Sequence, residues 1–355
     1  MRFVIFGLTV SSSWGNGHAT LWRSLIRALD AQHHDVLFYE RDVAYYAAHR
    51  DLPELHGRAR LRLYAAWDDI RAEAEAEVAG ADCAIVTSYC PDGRAASASV
   101  LAAARATRVF YDLDTPVTLA RLSAGQDVPY LPRDGLAEFD LVLSFTGGRA
   151  IDQLRGRLGA RRVVPLYGSV DPDHHRPVAP DPRWAAACSY LGTWSQDRQA
   201  ALEALFLEPA RRRGRDTFVL AGSQYPDEVV WPANVIRHDH VPPPAHPAFY
   251  CSSPLTINVT RGPMAELGYC PSGRLFEAAA CGVPVLSDAW EGLGGFFAIG
   301  DEILTASSSE DAIAALQLPR TALARIGARA RERALAEHAG TNRAAQLIAA
   351  IEGAA

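Results

Sequence analysis

Short apolar runs and amphipathic helical segments alternate along this chain in two series, and a polar, proline-rich stretch around Tyr167 to Trp184 separates them. Alternation at this period leaves few architectures open, because consecutive buried strands joined by crossover helices pair in parallel with a helical layer on each face. In the first series Arg2 to Thr9, Asp35 to Tyr39, Asp82 to Ser88, Arg108 to Asp112 and Leu141 to Phe145 read as strands. Between them Ala19 to Ala31, Asp69 to Val78, Ala95 to Ala106 and Arg149 to Leu158 read as helices. The second series runs Ser189 to Leu191, a helix over Asp197 to Arg212, Thr217 to Ala221, Val235 to Arg237, a helix near Ala245 to Ser252, and Leu255 to Val259. A helix over Gly273 to Cys281, strands at Val283 to Ser287 and Ile303 to Ala306, and helices from Ser309 onward complete it. The expected class is α/β: a doubly wound parallel-sheet domain over 1–167, a linker over 168–184, a second such domain over 185–338, and a helix over 339–355 returning to the first. In such sheets ligands lie beyond the carboxyl ends of the strands, so the functional loops should follow strands.

The 355 residues suffice for two cores. Formal charge is mild at -6, without the broad basic field that nucleic-acid binding requires, so phosphate recognition should be local and the partner a small molecule. Every basic side chain outside histidine is arginine. The absence of lysine excludes P-loop nucleotide hydrolases and Schiff-base enzymes, and leaves arginine to hold any phosphate by charge. The six cysteines lack C-x-x-C spacing and read as reduced, buried thiols. No apolar run reaches transmembrane length and none at the start reads as a secretory signal, so a cytoplasmic protein without an integral membrane segment is expected.

The densest motif runs from Ser272 to Asp288. Ser272 and Gly273 open a helix whose free N–H groups suit an anion, and Glu277 sits one turn in, where a carboxylate can accept both hydrogen bonds of a ribose diol. Gly282 ends the helix and Pro284 leads the next strand. On spacing alone the same residues equally describe a plain helix, turn and strand with a surface glutamate.

Asn258, Arg261, Ser272, Arg274, Phe276, Glu277, Ala280 and Gly282 together resemble the donor-site signature of the retaining group 1 glycosyltransferases of GT-B fold, and more closely its CgeB-like branch. The likeness continues through Trp290 to Leu293 and Gly300 to Leu304. It implies two Rossmann-like domains facing a cleft and a glycosyltransferase moving a sugar from a nucleoside-diphosphate sugar to an unknown acceptor, without metal or other cofactor and with retention. By the same resemblance Glu277 binds the donor ribose, Arg261 and Arg198 face the diphosphate with Ser272, Gly273 and Arg274, and the backbone near His240 and Val241 cradles the nucleobase. Arginine's planar fork suits phosphate oxygens; Arg198 reads equally well as a solvated residue beside a helix start. One departure stands out. Many retaining relatives carry a second glutamate eight positions before the ribose-binding one, and here that position is Tyr269, with Glu266 at the wrong spacing.

In the first series the loop Ser11 to Thr20 follows a strand. Gly15 and Gly17 let backbone approach a phosphate or sugar, and His18 enters at the helix start as a candidate catalytic group. The loop also imitates a dinucleotide fingerprint, with Glu40 where a ribose acid would sit, but Thr20 replaces the third glycine. Asp112-Leu113-Asp114 follows another strand; Asp114 reads as an acceptor contact or base, or as part of a helix cap, and metal binding there is the weaker reading. His238, His240 and His246 complete no recognised metal site. Rival readings are a nucleotide-sugar epimerase or hydrolase, an NAD-dependent oxidoreductase using the Gly15 loop, and a non-catalytic cell-surface or spore-coat assembly protein.

Overall fold

The computed structural model describes residues 1–354 and divides into two compact units, Met1–Tyr167 with the segment from Gly340 onward, and Gly168–Ala339. In the first unit the elements run β1 (Arg2–Gly7), α1 (Gly17–Ala31), β2 (Asp35–Arg41), α2 (Ala44–Ala47), β3 (Ala59–Tyr64), α3 (Trp67–Ala79), β4 (Cys83–Thr87), α4 (Gly93–Leu101), β5 (Thr107–Asp112), α5 (Thr115–Ser123), β6 (Leu141–Ser144), α6 (Arg149–Leu158) and β7 (Val163–Pro165). Among the described residues these strands form one seven-stranded sheet in the order β3-β2-β1-β4-β5-β6-β7, parallel throughout. Phe3 to Phe6, Cys83 to Val86 and Leu141 to Leu143 are fully buried, as central strands covered on both faces must be. Two strands escape the sequence reading for physical reasons. β3 sets arginines against apolar residues at the sheet edge, and β7 is too short to carry a period.

The second unit runs β8 (Cys188–Leu191), α7 (Gln199–Leu202), α8 (Glu208–Arg212), β9 (Phe218–Ala221), β10 (Val235–His238), α9 (His246–Cys251), β11 (Thr256–Asn258), α10 (Gly262–Leu267), α11 (Gly273–Ala280), β12 (Val285–Asp288), β13 (Leu304–Ala306), α12 (Ser309–Leu316) and α13 (Arg320–Glu337). Its six strands are again all parallel, ordered β10-β9-β8-β11-β12-β13 among the described residues. The single helix expected over Asp197 to Arg212 is α7 and α8 joined by a π-helical turn at Glu203–Leu207, next to Pro209, whose ring cannot sit on a regular ladder.

The stretch read as a linker is built into the second unit. The Val170 amide donates to the His338 carbonyl at 2.9 Å, Asp181 exchanges hydrogen bonds with Ser252, and Trp184 is buried. Within the first unit α14 (Gly340–Glu352) packs along α1, burying Ala344, Leu347, Ala350 and Ile351.

Both sheets reverse direction once, between β1 and β4 in the first unit and between β8 and β11 in the second. At such reversals neighbouring crossovers leave on opposite faces and open a crevice beyond the strand ends. In the second unit α11 and α13 pack so closely that a Cβ added to Gly327 would stand 2.1 Å from the Gly282 carbonyl oxygen. Because backbone cannot yield cheaply, Gly327→Ala should cost about 1–3 kcal/mol, read as a lowered urea midpoint; an unchanged midpoint would show that the helices separate freely.

Candidate functional site

At the reversal in the second unit the loops after β8 and β11 bring arginines together. Arg198 lies in the turn at Gln196–Arg198; its Nη1 donates to the Thr193 carbonyl at 3.0 Å, while Nε is buried without a partner among the described residues. Burial lowers its pKa, and the guanidinium groups of Arg274 and Arg261 lower it further, so three cations crowd one place. Arg261 precedes α10 and pairs through Nε with Asp197 at 3.2 Å. Asp288 accepts from the Thr260 amide and hydroxyl, each at 2.9 Å, and thereby fixes the loop that carries Arg261.

Arg274, expected on the donor, is engaged in bracing. Its Nη1 donates to Asn258 Oδ1 at 2.7 Å, Nε donates to the Leu191 carbonyl, and the guanidinium sits 5.1 Å over the Tyr190 ring. Asn258 in turn donates to Ser287 and Thr260. Asn258 and Arg274 therefore tie the ends of β8, β11 and β12 together, and Arg274 adds its charge to the cluster from a fixed position.

Glu277 lies in α11, which opens after Ser272; the Ser272 side chain makes no capping bond, and a Cβ on Gly273 would sit 3.9 Å from Glu277 Oε1. Glu277 is only 8% exposed, and its Oε2 accepts from the Tyr250 hydroxyl at 3.0 Å. Burial pushes its pKa up, but His175, His246, the Tyr250 hydroxyl and Arg274 outweigh that and hold it below the usual range. Tyr250, His175 and His246 escape the sequence reading as Glu277's neighbours, since each looks like an ordinary helix or turn residue until folding brings it behind α11.

Around the expected nucleobase cradle, the Val241 carbonyl takes a hydrogen bond from His246 Nε2 at 3.0 Å. His238 ends β10, the edge strand, with its ring edge-on to Trp184, and His240 lies just beyond. Tyr269, where relatives carry a second glutamate, sits at a left-handed φ of 48°, its amide donating to the Glu291 carbonyl at 2.6 Å.

In the first unit the loop after β1 is braced from within. Glu40, 1% exposed, accepts from the Thr9 hydroxyl (2.8 Å), the Val10 amide (2.7 Å), and the Ser11 amide and hydroxyl (3.0 and 2.5 Å). Both its oxygens are consumed, so it cannot read a ribose as the dinucleotide interpretation required. Gly15 takes a φ of 61°, Asn16 caps α1 by accepting from the His18 amide, and a side chain at Gly17 would meet nothing within 4 Å. His18 Nε2 faces Asp114 Oδ2 at 3.4 Å, while its Nδ1 is buried without a partner among the described residues. Sequence positions far apart thus meet where β1 and β5 end. Tyr89 completes the group: it is held at φ 63°, its ring centroid lies 5.9 Å from that of His18, and burial with the nearby Asp114 carboxylate pushes the pKa of its hydroxyl up.

Asp112 lies beneath this group, fully buried. Oδ1 accepts from the Asp114 amide (3.2 Å) and the Thr118 hydroxyl (3.1 Å), whereas Oδ2 has no partner among the described residues. Burial raises its pKa to about 6. The candidate groups therefore form two constellations, a guanidinium cluster with a buried carboxylate in the second unit, and an imidazole–carboxylate pair in the first.

Comparison with known proteins follows the same lines. Residues 198–349, most of the second unit and part of α14, match a family model described as glycosyl transferase-like. Sucrose-phosphate synthase from Thermosynechococcus elongatus superimposes with a TM-score of 0.70 at 14% identity, covering 99% of this chain and 98% of that one. Anabaena HepE, solved in complex with UDP-glucose, gives 0.67 at 12% identity, covering 99% and 100%. A glycosyltransferase from Rickettsia africae gives 0.64 at 9% identity, covering 99% and 98%. These likenesses establish the two-domain GT-B fold that the alternation and the donor motif lead one to expect. Comparison with curated protein sequences gives no match.

The Asp112 carboxyl carries a pH signature. Its pKa is about 6 in the folded chain against 3.8 for an ordinary aspartate. The native state therefore binds the proton more tightly, and this group subtracts stability as pH rises through that interval, by roughly 3 kcal/mol once the charge is complete. Asp112→Asn should match wild type near pH 4 and exceed it at pH 7 in urea unfolding of the full chain. A difference between the two that stays constant across that range would place the charge elsewhere.

Proposed function

We propose that the protein is a glycosyltransferase that takes a sugar from a nucleoside-diphosphate sugar and passes it to an acceptor hydroxyl, on the CgeB-like pattern of the donor segment. The observation that carries this reading is the Arg198–Arg261–Arg274 cluster. Asp197 pairs with Arg261, yet three guanidinium groups set against that carboxylate leave an excess of positive charge, one group being buried with an unpartnered N–H, and that excess suits a bound anion. Arginine's forked donors suit the non-bridging oxygens of a diphosphate. The first N–H groups of α11 add to the same field. As the glycosidic bond breaks, negative charge grows on the departing diphosphate, and preorganised cations lower the energy of that state without needing a metal at the phosphates. Glu277 accepts the ribose hydroxyls through the carboxylate face turned toward Gly273, and the backbone around His240 and Val241 meets the base. HepE, solved with UDP-glucose, makes a uridine nucleotide the first donor to try.

In the first unit His18 and Asp114 take the acceptor's proton. Asp114 beside Nε2 fixes the tautomer that leaves the imidazole lone pair on Nδ1, the nitrogen that takes the proton. A base of this kind suits one direct displacement and inversion at the anomeric carbon, whereas the resemblance to retaining enzymes implies retention. The pairing of His18 with Asp114 and the tyrosine at position 269 favour inversion; the overall motif favours retention.

Both courses are open to direct measurement. Incubation with a panel of nucleoside-diphosphate sugars and candidate acceptors, followed by NMR of the product, assigns the anomer and separates transfer from hydrolysis or epimerisation. His18→Ala should lower kcat by about 10²–10⁴-fold while leaving nucleotide affinity unchanged; undiminished turnover would remove it from the reaction. Glu277→Ala should weaken nucleotide binding by calorimetry, and equal affinity would end its assignment to the ribose.

A further inference from the structure

His175 and His246 remain unused by this reading. His175 lies in the turn after Asp171, which its amide joins at 2.8 Å; its ring is 4% exposed, and neither nitrogen has a partner among the described residues. His246 opens α9 and is 9% exposed. Because its Nε2 faces the Val241 carbonyl, that nitrogen carries the proton, and Nδ1 presents a lone pair, also without a partner. Buried polar atoms are paired in the great majority of cases, and an exception asks for a missing water or ion.

Both rings converge on Glu277. One ligand atom from each of the three residues lies within 4.8 Å of the others, and all three are buried. We propose that His175, His246 and Glu277 bind one divalent transition-metal ion of the zinc class, through one imidazole nitrogen of His175, Nδ1 of His246 and a carboxylate oxygen of Glu277. Two imidazoles and one carboxylate are the donor set such ions take, whereas magnesium and calcium call for oxygen alone. Four-coordinate zinc places its ligand atoms about 3.3 Å apart, so binding would draw the three atoms together from within 4.8 Å of one another. The outer contacts are those of a metal site as well. A ligating histidine hands its other N–H to a backbone carbonyl, as His246 does to Val241, and a ligating carboxylate is held by a further donor, as Tyr250 holds Glu277. The ion fixes the carboxylate from behind, is separate from leaving-group stabilisation, and is held with no nucleotide bound.

The test uses the full chain, stripped with chelator, desalted and loaded with Zn²⁺ or Co²⁺ in the absence of nucleotide. One ion per chain should be retained by elemental analysis, the melting temperature should rise, and the Co²⁺ form should show the visible bands of low-coordinate nitrogen and oxygen ligation. His175→Phe and His246→Phe should each abolish stoichiometric retention, and Mg²⁺ should give no shift. Failure of wild type to hold an ion overturns the proposal, because water then satisfies the rings. So does equal retention by either variant, or a thiolate charge-transfer band, which would put the ion on cysteines. If a variant does not fold, the Co²⁺ spectrum of the wild-type chain decides alone. Since no nucleotide is present, failure here leaves the donor reading standing, and failure of nucleotide binding leaves this site standing.

Discussion

The second unit is organised around an electrostatic conflict: guanidinium groups of Arg198, Arg261 and Arg274 are forced into one neighbourhood, one of them buried with an N–H unspent. Folding does not avoid this cost; it builds a framework that bears it. Asn258 and the Leu191 carbonyl hold Arg274, Asp288 holds the loop leading to Arg261, and the Thr193 carbonyl holds one nitrogen of Arg198. Asp197 on Arg261 offsets part of the repulsion, and the bracing keeps the remaining positive charge in place for an anion.

Sheet topology explains why the conflict arises there. A parallel sheet that reverses its order sends the two central loops to the same end, and in the second unit those loops carry Arg198 and Arg261. The first unit uses different chemistry one strand further out: the loops after β1 and β5, on either side of β4, bring His18 to Asp114. In both, the residues that look functional divide into those that meet ligand and those that hold the framework. Glu40 and Asn258 belong to the second group, because every strong hydrogen-bonding position they offer is already filled inside the protein.

Much of this was legible in the sequence. Strand and helix periodicity placed the central strands, and the helix opening at Gly273 with Glu277 one turn in was readable from small residues and spacing. The pairing of His18 with Asp114 was not, since nearly a hundred residues separate them and only the order of strands makes them neighbours. Glu40 misled because a carboxylate at a strand end looks the same whether it awaits a ribose or is spent on Thr9, Val10 and Ser11. His175 was hidden for a related reason: it sits in a polar, proline-rich stretch that reads as a connector, and burial behind α11 is a property of the folded unit alone. The edge strand β3 failed because alternating arginines, natural on an exposed edge, weaken the apolar period.

The most direct measurement is calorimetric titration of the full chain with a nucleoside diphosphate and the corresponding monophosphate, each repeated on Arg198→Met, which keeps the buried stem but removes the charge. If the cluster exists to meet a pyrophosphate, the diphosphate binds wild type much more tightly than the monophosphate, and the variant loses that margin while still binding the monophosphate. Equal affinity for the two ligands, or a margin that survives the substitution, would contradict the account.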